Sequence, residues 1–157
     1  MNSVVFGELQ YEYGWNGKVT LDWYGESREI DLLISGEADE EIDPLQCDSF
    51  QTFKESWNVI EESLLNEILS YYVDLRADLG YSDNSNEEYP EITDNEEIKK
   101  MITLDMVVIP LSGIYNGRSV GLAFSCDWDT ENGLGVLLVD EKINESDIKI
   151  SYFKCIW

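Results

Sequence analysis

Histidine is absent from this 157-residue chain, and only ten Lys and Arg stand against 33 Asp and Glu. The first absence removes the imidazole on which Ser-His-Asp triads and histidine-containing metal sites depend. A cysteine nucleophile would lack its usual base for the same reason. The second leaves a formal net charge of −23. That field argues against nucleic acid as a ligand, because phosphate is held by Lys and Arg. Anionic lipid headgroups repel the chain in the same way. No segment approaches the roughly 18 apolar residues that span a bilayer. Met1 to Glu8 carries neither a basic region nor an apolar stretch, so no signal peptide is expected. Cysteine is sparse too. Cys47, Cys126 and Cys155 are widely spaced and odd in number, which predicts free thiols, a reducing compartment and a cytoplasmic location. The simplest role for them is as small buried apolar side chains. No Gly-rich phosphate loop is present, since Gly133-Leu134-Gly135 lacks a following helix.

What the chain does hold is core material. Hydrophobic residues make up 43%, with five Trp, nine Tyr and five Phe. That is too apolar for a disordered acidic tail, and the length predicts a single domain over 1–157. Strong self-repulsion disfavours large assemblies, so a monomer or small oligomer is expected.

Alternation predicts three N-terminal strands. Val4 to Tyr13 is the first, Gly14-Trp15-Asn16-Gly17 a turn, Lys18 to Tyr24 the second, Gly25-Glu26-Ser27 a turn, and Arg28 to Ile34 the third. Asp43-Pro44-Leu45-Gln46 reads as an N-cap, a proline at the first helical position and a capping-box glutamine. Apolar residues then recur at Leu45, Phe50, Phe53, Trp57, Ile60, Leu64, Ile68, Tyr71, Leu75 and Leu79, mostly at spacings of three or four, and Gly80 is the natural stop. An unbroken helix of that span would be about 54 Å long. A domain of this size has a radius of gyration of roughly 15 Å. A break is therefore expected, near Cys47 to Ser49 or at Ser56.

Thr93-Asp94-Asn95-Glu96 opens a short helix. Asp105 to Leu111 reads as a buried strand, and Asn116-Gly117 as a turn. Ser119 to Trp128 and Leu134 to Val139 form a hairpin around Asn132-Gly133, and Lys149 to Trp157 is a weak last strand. The expected class is α+β. A mainly antiparallel sheet, made of an N-terminal three-strand meander and C-terminal hairpin strands, packs on one long, broken helix and a short helix.

Two features invite a chemical reading. Asp127, Asp129 and Glu131 alternate as in the opening of an EF-hand loop, but the sixth position is Asn132 and the twelfth Leu138, where glycine and a bidentate glutamate are needed. An acidic hairpin loop is the better description, with a looser divalent-cation site as an alternative. A carboxylate acid–base pair would need one carboxyl held protonated in a cleft, which sequence does not show. No cofactor, metal or catalytic set is assigned, and the chain is expected not to be an enzyme.

The acidic residues themselves are the stronger signal. Eight lie between Arg28 and Lys54, and eight between Arg76 and Lys99, with no basic residue in either run. One run precedes the long helix and the other follows it. Either run alone is compatible with a solvating surface. Together they predict a docking surface for a cationic protein. Glu37, Asp39, Glu40, Glu41, Glu87, Glu88 and Glu91 supply charge, and Tyr81 and Tyr89 act as aromatic anchors.

Small, very acidic, histidine-poor α+β domains resemble bacterial immunity proteins, which neutralise a toxin encoded beside them. Three pieces are similar to a family of uncharacterised bacterial domains: Phe6-Gly7-Glu8-Leu9 leading to Gly14-Trp15-Asn16-Gly17, Tyr71-Tyr72, and Trp128-Asp129-Thr130-Glu131-Asn132-Gly133-Leu134-Gly135-Val136. The resemblance implies a toxin–immunity role of the contact-dependent growth-inhibition kind, without catalytic residues. The expected partner is a basic toxin domain such as a nuclease. The alternatives are an acidic binding module of another role, or a carboxylate enzyme or cation-binding protein.

Overall fold

The computed structural model describes residues 1–81 and 86–149, with the side chains of 144–147 and 149 outside the description. Period-two patterning builds its centre. In β4 (Trp15–Trp23) Val19, Leu21 and Trp23 are buried between exposed Lys18, Thr20 and Asp22. In β5 (Glu26–Ile34) Ile30, Leu32 and Ile34 are buried in the same phase. The two strands pair antiparallel from Trp15↔Ile34 to Trp23↔Glu26. The turn between them is Tyr24-Gly25, with φ of 50° and 95°, the left-handed pair a two-residue hairpin requires.

The expected first strand is broken into β1 (Asn2–Ser3), β2 (Gly7–Glu8) and β3 (Gln10–Tyr11). Ser3 Oγ accepts the backbone N–H groups of Val5 and Phe6 and turns the chain there. The turn expected at 14–17 lies earlier, at Glu12 to Gly14, where Tyr13 has φ 58° and Gly14 φ 147°. Asn16 belongs to β4, and its side-chain amide donates back to the Glu12 and Gly14 carbonyls. Gly17 serves close approach instead of a turn. A Cβ there would lie 2.7 Å from Leu9 Cδ2 and 3.2 Å from the Glu8 carbonyl.

Among the described residues three helices follow: α1 (Pro44–Glu55), α2 (Trp57–Asp78) and α3 (Asn95–Met101). The predicted long helix breaks at Ser56, whose φ and ψ of −94° and 1° interrupt it for one residue. Phe50, Phe53, Trp57, Ile60, Leu64, Ile68 and Tyr72 form its buried stripe. Beyond Ile68 the stripe runs through Tyr72 and Arg76, while Leu79 is exposed, as is Leu45 at the other end. The cap of α3 is Asp94, one residue later than expected, and its carboxylate accepts the Glu97 N–H at 2.9 Å.

The remaining strands are β6 (Ile102–Ile109), β7 (Ser119–Cys126), β8 (Leu134–Val139) and β9 (Lys142–Lys149). Among the described residues β3 to β9 lie side by side in sequence order as one seven-stranded sheet. Every neighbouring pair is antiparallel except β5 and β6, which are parallel. The sheet is therefore mixed. The helical crossover from β5 returns the chain to the start of the sheet, so β6 runs in the same direction. β9 was not foreseen, and the strand expected over 149–157 lies, apart from Lys149, outside the described residues. The α+β class holds, with helix α1 packed on β6 and β7 and α2 against α3 and β9.

The parallel pair decides what meets where. β5 and β6 both finish at one end of the sheet, where Ser35 donates its N–H to the Ile109 carbonyl at 3.0 Å. The opposite end holds the start of β6, the end of β7 and the Asp127–Gly133 loop, since Ile102 pairs with Cys126. Eight residues of β6 separate the two ends, about 26 Å.

Candidate functional site: an acidic cleft before the first helix

Asp43 and Gln46 build the scaffold of the site. Asp43 Oδ1 accepts the Leu45 N–H at 2.8 Å, and Gln46 Oε1 accepts the Asp43 N–H at 3.3 Å, closing the predicted capping box. The Gln46 amide then reaches across the sheet end. Its Nε2 donates to the Ser35 carbonyl at 2.9 Å and the Pro110 carbonyl at 3.1 Å. Gln46 is buried, so these bonds satisfy groups that water does not reach. Asp43 Oδ2 accepts the Ser112 hydroxyl at 2.5 Å. That bond first, and the Leu45 N–H second, hold the Asp43 carboxyl below its ordinary range.

Against this scaffold lies a cleft of about 230 Å³. Glu37, Glu40, Glu41 and Asp43 line it together with Trp15, Gln46 and Leu111, and among the described residues no basic one does. A turn in which the Glu40 N–H donates to the Glu37 carbonyl, at 3.3 Å, bends the loop. Glu37, Asp39, Glu40 and Glu41 are all exposed. Asp39 sits in the same loop without lining the cleft. Trp15 is half-buried and braced edge-on by Tyr11, with ring centroids 5.1 Å apart. The Tyr11 hydroxyl donates to the Gly36 carbonyl at 3.1 Å and fixes the loop's start. None of these carboxylates is paired with a described basic side chain. The described ion pairs use Lys18, Arg28, Lys99 and Arg118 elsewhere. Carboxylates around an indole wall offer a cation both charge and a π face.

The second predicted group sits at the opposite end of the sheet. Glu87, Glu88 and Glu91 are exposed, but Tyr81 and Tyr89 are half-buried and stacked on each other at 5.7 Å. Tyr89 packs on the core, and its carbonyl accepts Arg76 Nε at 2.9 Å. The Tyr72 hydroxyl donates to the Pro90 carbonyl at 2.5 Å. Burial, then the Asp129 and Glu88 carboxylates, hold the Tyr89 phenol above its ordinary value. These tyrosines anchor their own loop, and the two predicted clusters do not form one patch.

The alternating acids at 127–133 are a hairpin loop. Asp129 Oδ1 accepts the Asn132 N–H at 3.2 Å, both its oxygens accept the Asn132 amide, and Trp128 is buried against Tyr72. Among the described residues no group of three or more Cys, Asp or Glu is arranged to hold a metal ion. Cys47 and Cys126 are free thiols, and burial pushes Cys126 up to about 12. Cys155 lies outside the described residues.

Trp15, Gln46 and Leu111 were not foreseen as lining residues. Asp43-Pro44-Leu45-Gln46 signalled the helix start, which is the scaffold, but Trp15 was placed in a turn. No helix among the described residues is long and apolar enough to cross a membrane. A family model described as a domain of unknown function, DUF6985, matches residues 5–155. No curated protein and no solved structure matches the chain.

Proposed function

We propose that this chain, which belongs to the DUF6985 family, is a binding module that neutralises a basic protein, and that its acidic cleft before α1 is the point of contact. The observation that carries this reading is the convergence of Glu37, Glu40 and Glu41 on one cleft with no basic residue among its described lining. Anionic side chains crowded together repel one another, and a cationic partner relieves that repulsion. The exposed Glu87, Glu88 and Glu91, at the far end, add to the long-range field that steers a basic partner inward.

The narrower form of the reading is an immunity protein for a bacterial toxin, and a nuclease suits it best. A nuclease is cationic where it meets phosphate, so an acidic inhibitor has a complementary surface to occupy. Co-expression with the adjacent upstream open reading frame tests this form. Rescue of growth by the wild-type chain, with loss of rescue in a Glu37→Gln/Glu40→Gln/Glu41→Gln variant, is the expected result. An upstream product that is harmless alone, or rescue untouched by the triple change, contradicts it.

A further inference from the structure

The acidic cleft shares a wall with a second concavity. It measures about 300 Å³, at the small end of ligand pockets, and Gln46 and Leu111 line both. Leu45, Pro110 and Tyr115 supply other walls. Leu45 is 63% exposed and Leu111 47%, and Ile114 in the same loop is 58% exposed. Single exposed apolar residues need no explanation, but Leu45 and Leu111 share this concavity, and with Ile114 exposed in the adjoining loop they mark a contact surface.

Several of the polar groups around it are already matched, and Asp48 adds one exposed carboxylate to the lining. Ser49 Oγ donates to the Leu45 carbonyl at 3.0 Å, and Ser119 Oγ to the Gly117 carbonyl at 3.1 Å. Arg118 is held by Glu141 through two bonds of 2.8 Å, so its charge is neutralised locally and does not offset the carboxylates next door. What remains on offer is apolar contact beside the single Asp48 carboxylate on one side of the Gln46–Leu111 ridge, and a cluster of carboxylates on the other. The ridge is rigid, because Gln46 is bonded to both strand ends.

We propose that the two concavities together take one short segment of the basic partner. An arginine or lysine sits among Glu37, Glu40 and Glu41 against Trp15, and a neighbouring large apolar side chain sits against Leu45 and Leu111. The inference rests on reading the chain as a binder of a basic protein, and adds what that partner must present. Charge alone would speed encounter with any basic surface, whereas the buried apolar anchor sets how long the right one stays.

Three synthetic heptapeptides titrated into the ¹⁵N-labelled full chain at low salt test it: one with Arg-Ser-Phe at its centre, one with Arg-Ser-Gly and one with Gly-Ser-Phe. The first should move the Gln46 and Leu111 signals and the Trp15 indole, and bind at least about five-fold tighter than either other, as expected when charge and anchor act together. A Leu45→Ser/Leu111→Ser variant should lose that advantage and keep its affinity for the Arg-Ser-Gly peptide. Both side chains are exposed, and an unchanged melting curve checks the fold. Equal binding of the two arginine peptides, or shifts centred elsewhere on the molecule, overturns the inference and leaves the broader reading intact. No peptide binding, in a protein that shows no salt-dependent association with its upstream-encoded neighbour, overturns both.

Discussion

At the scale of single residues, Gln46 has the largest structural consequence for the site. It is 3% exposed, and it ties the start of α1 to the ends of two strands. Gln46→Leu keeps the volume and strands the Ser35 and Pro110 carbonyls, at a cost of about 1–3 kcal/mol. Urea unfolding followed by tryptophan fluorescence should read that loss, and an unchanged midpoint would show that the ridge is held by other means. Cys126 gives a pH signature. Burial raises its thiol to about 12 from an ordinary value of 9.0, and burial likewise raises Tyr72 to about 12 from 10.0. Both groups stay neutral in the folded chain while the unfolded chain ionises. Their contribution is complete below pH 9 and is lost as pH rises toward 12. The melting temperature should therefore fall from pH 9 upward, and Cys126→Ala should flatten the first part of that fall. A variant that tracks the wild type between pH 9 and 10 would contradict the assignment.

At the scale of elements, the helix break and the helix start behave differently. Ser56 makes no side-chain cap bond, so the break is a backbone event. Asp43 caps α1 and also holds Ser112. Asp43→Ala should lower the urea midpoint, whereas Ser56→Ala should leave it unchanged, and the reverse order would refute this account of the two positions. The same elements show what the amino-acid pattern could and could not reveal. Tyr24-Gly25 and Asn132-Gly133 are local conformations with local signals, and the hairpins around them were legible, with strand ends displaced by up to three residues. The stripe from Phe50 to Ile68 was legible because burial of one face imposes its period. Gly17 misled because a glycine that admits Leu9 looks the same in sequence as a glycine that turns a chain. β9 escaped because Ile143 and Ile148 are five apart and out of phase. A register shift opposite Val136 and Leu138 lets both pair with inward residues. The parallel pairing of β5 with β6 was beyond reach, since it depends on where a crossover of three helices returns. Of the site, the acidic loop was readable from charge alone. Its wall was not, because Trp15, Gln46 and Leu111 come together only through the fold.

At the scale of the whole molecule, the net charge of −23 dominates. Raising salt from about 10 mM to about 150 mM shortens the screening length from about 30 Å to about 8 Å. Self-repulsion should weaken and the melting temperature should rise, and a salt-independent melt would mean that the charges are too dispersed to matter. The same field governs association. The two acidic groups lie at opposite ends of the sheet, so a partner that docks at the cleft feels the second group only as steering. The most direct test is stopped-flow association with the upstream-encoded basic protein across that salt range. The wild type should slow by about ten-fold or more, and Glu37→Gln/Glu40→Gln/Glu41→Gln should cost more in complex lifetime than Glu87→Gln/Glu88→Gln/Glu91→Gln. Salt-independent rates, or equal lifetimes for the two triple variants, would contradict an acidic cleft as the point of contact.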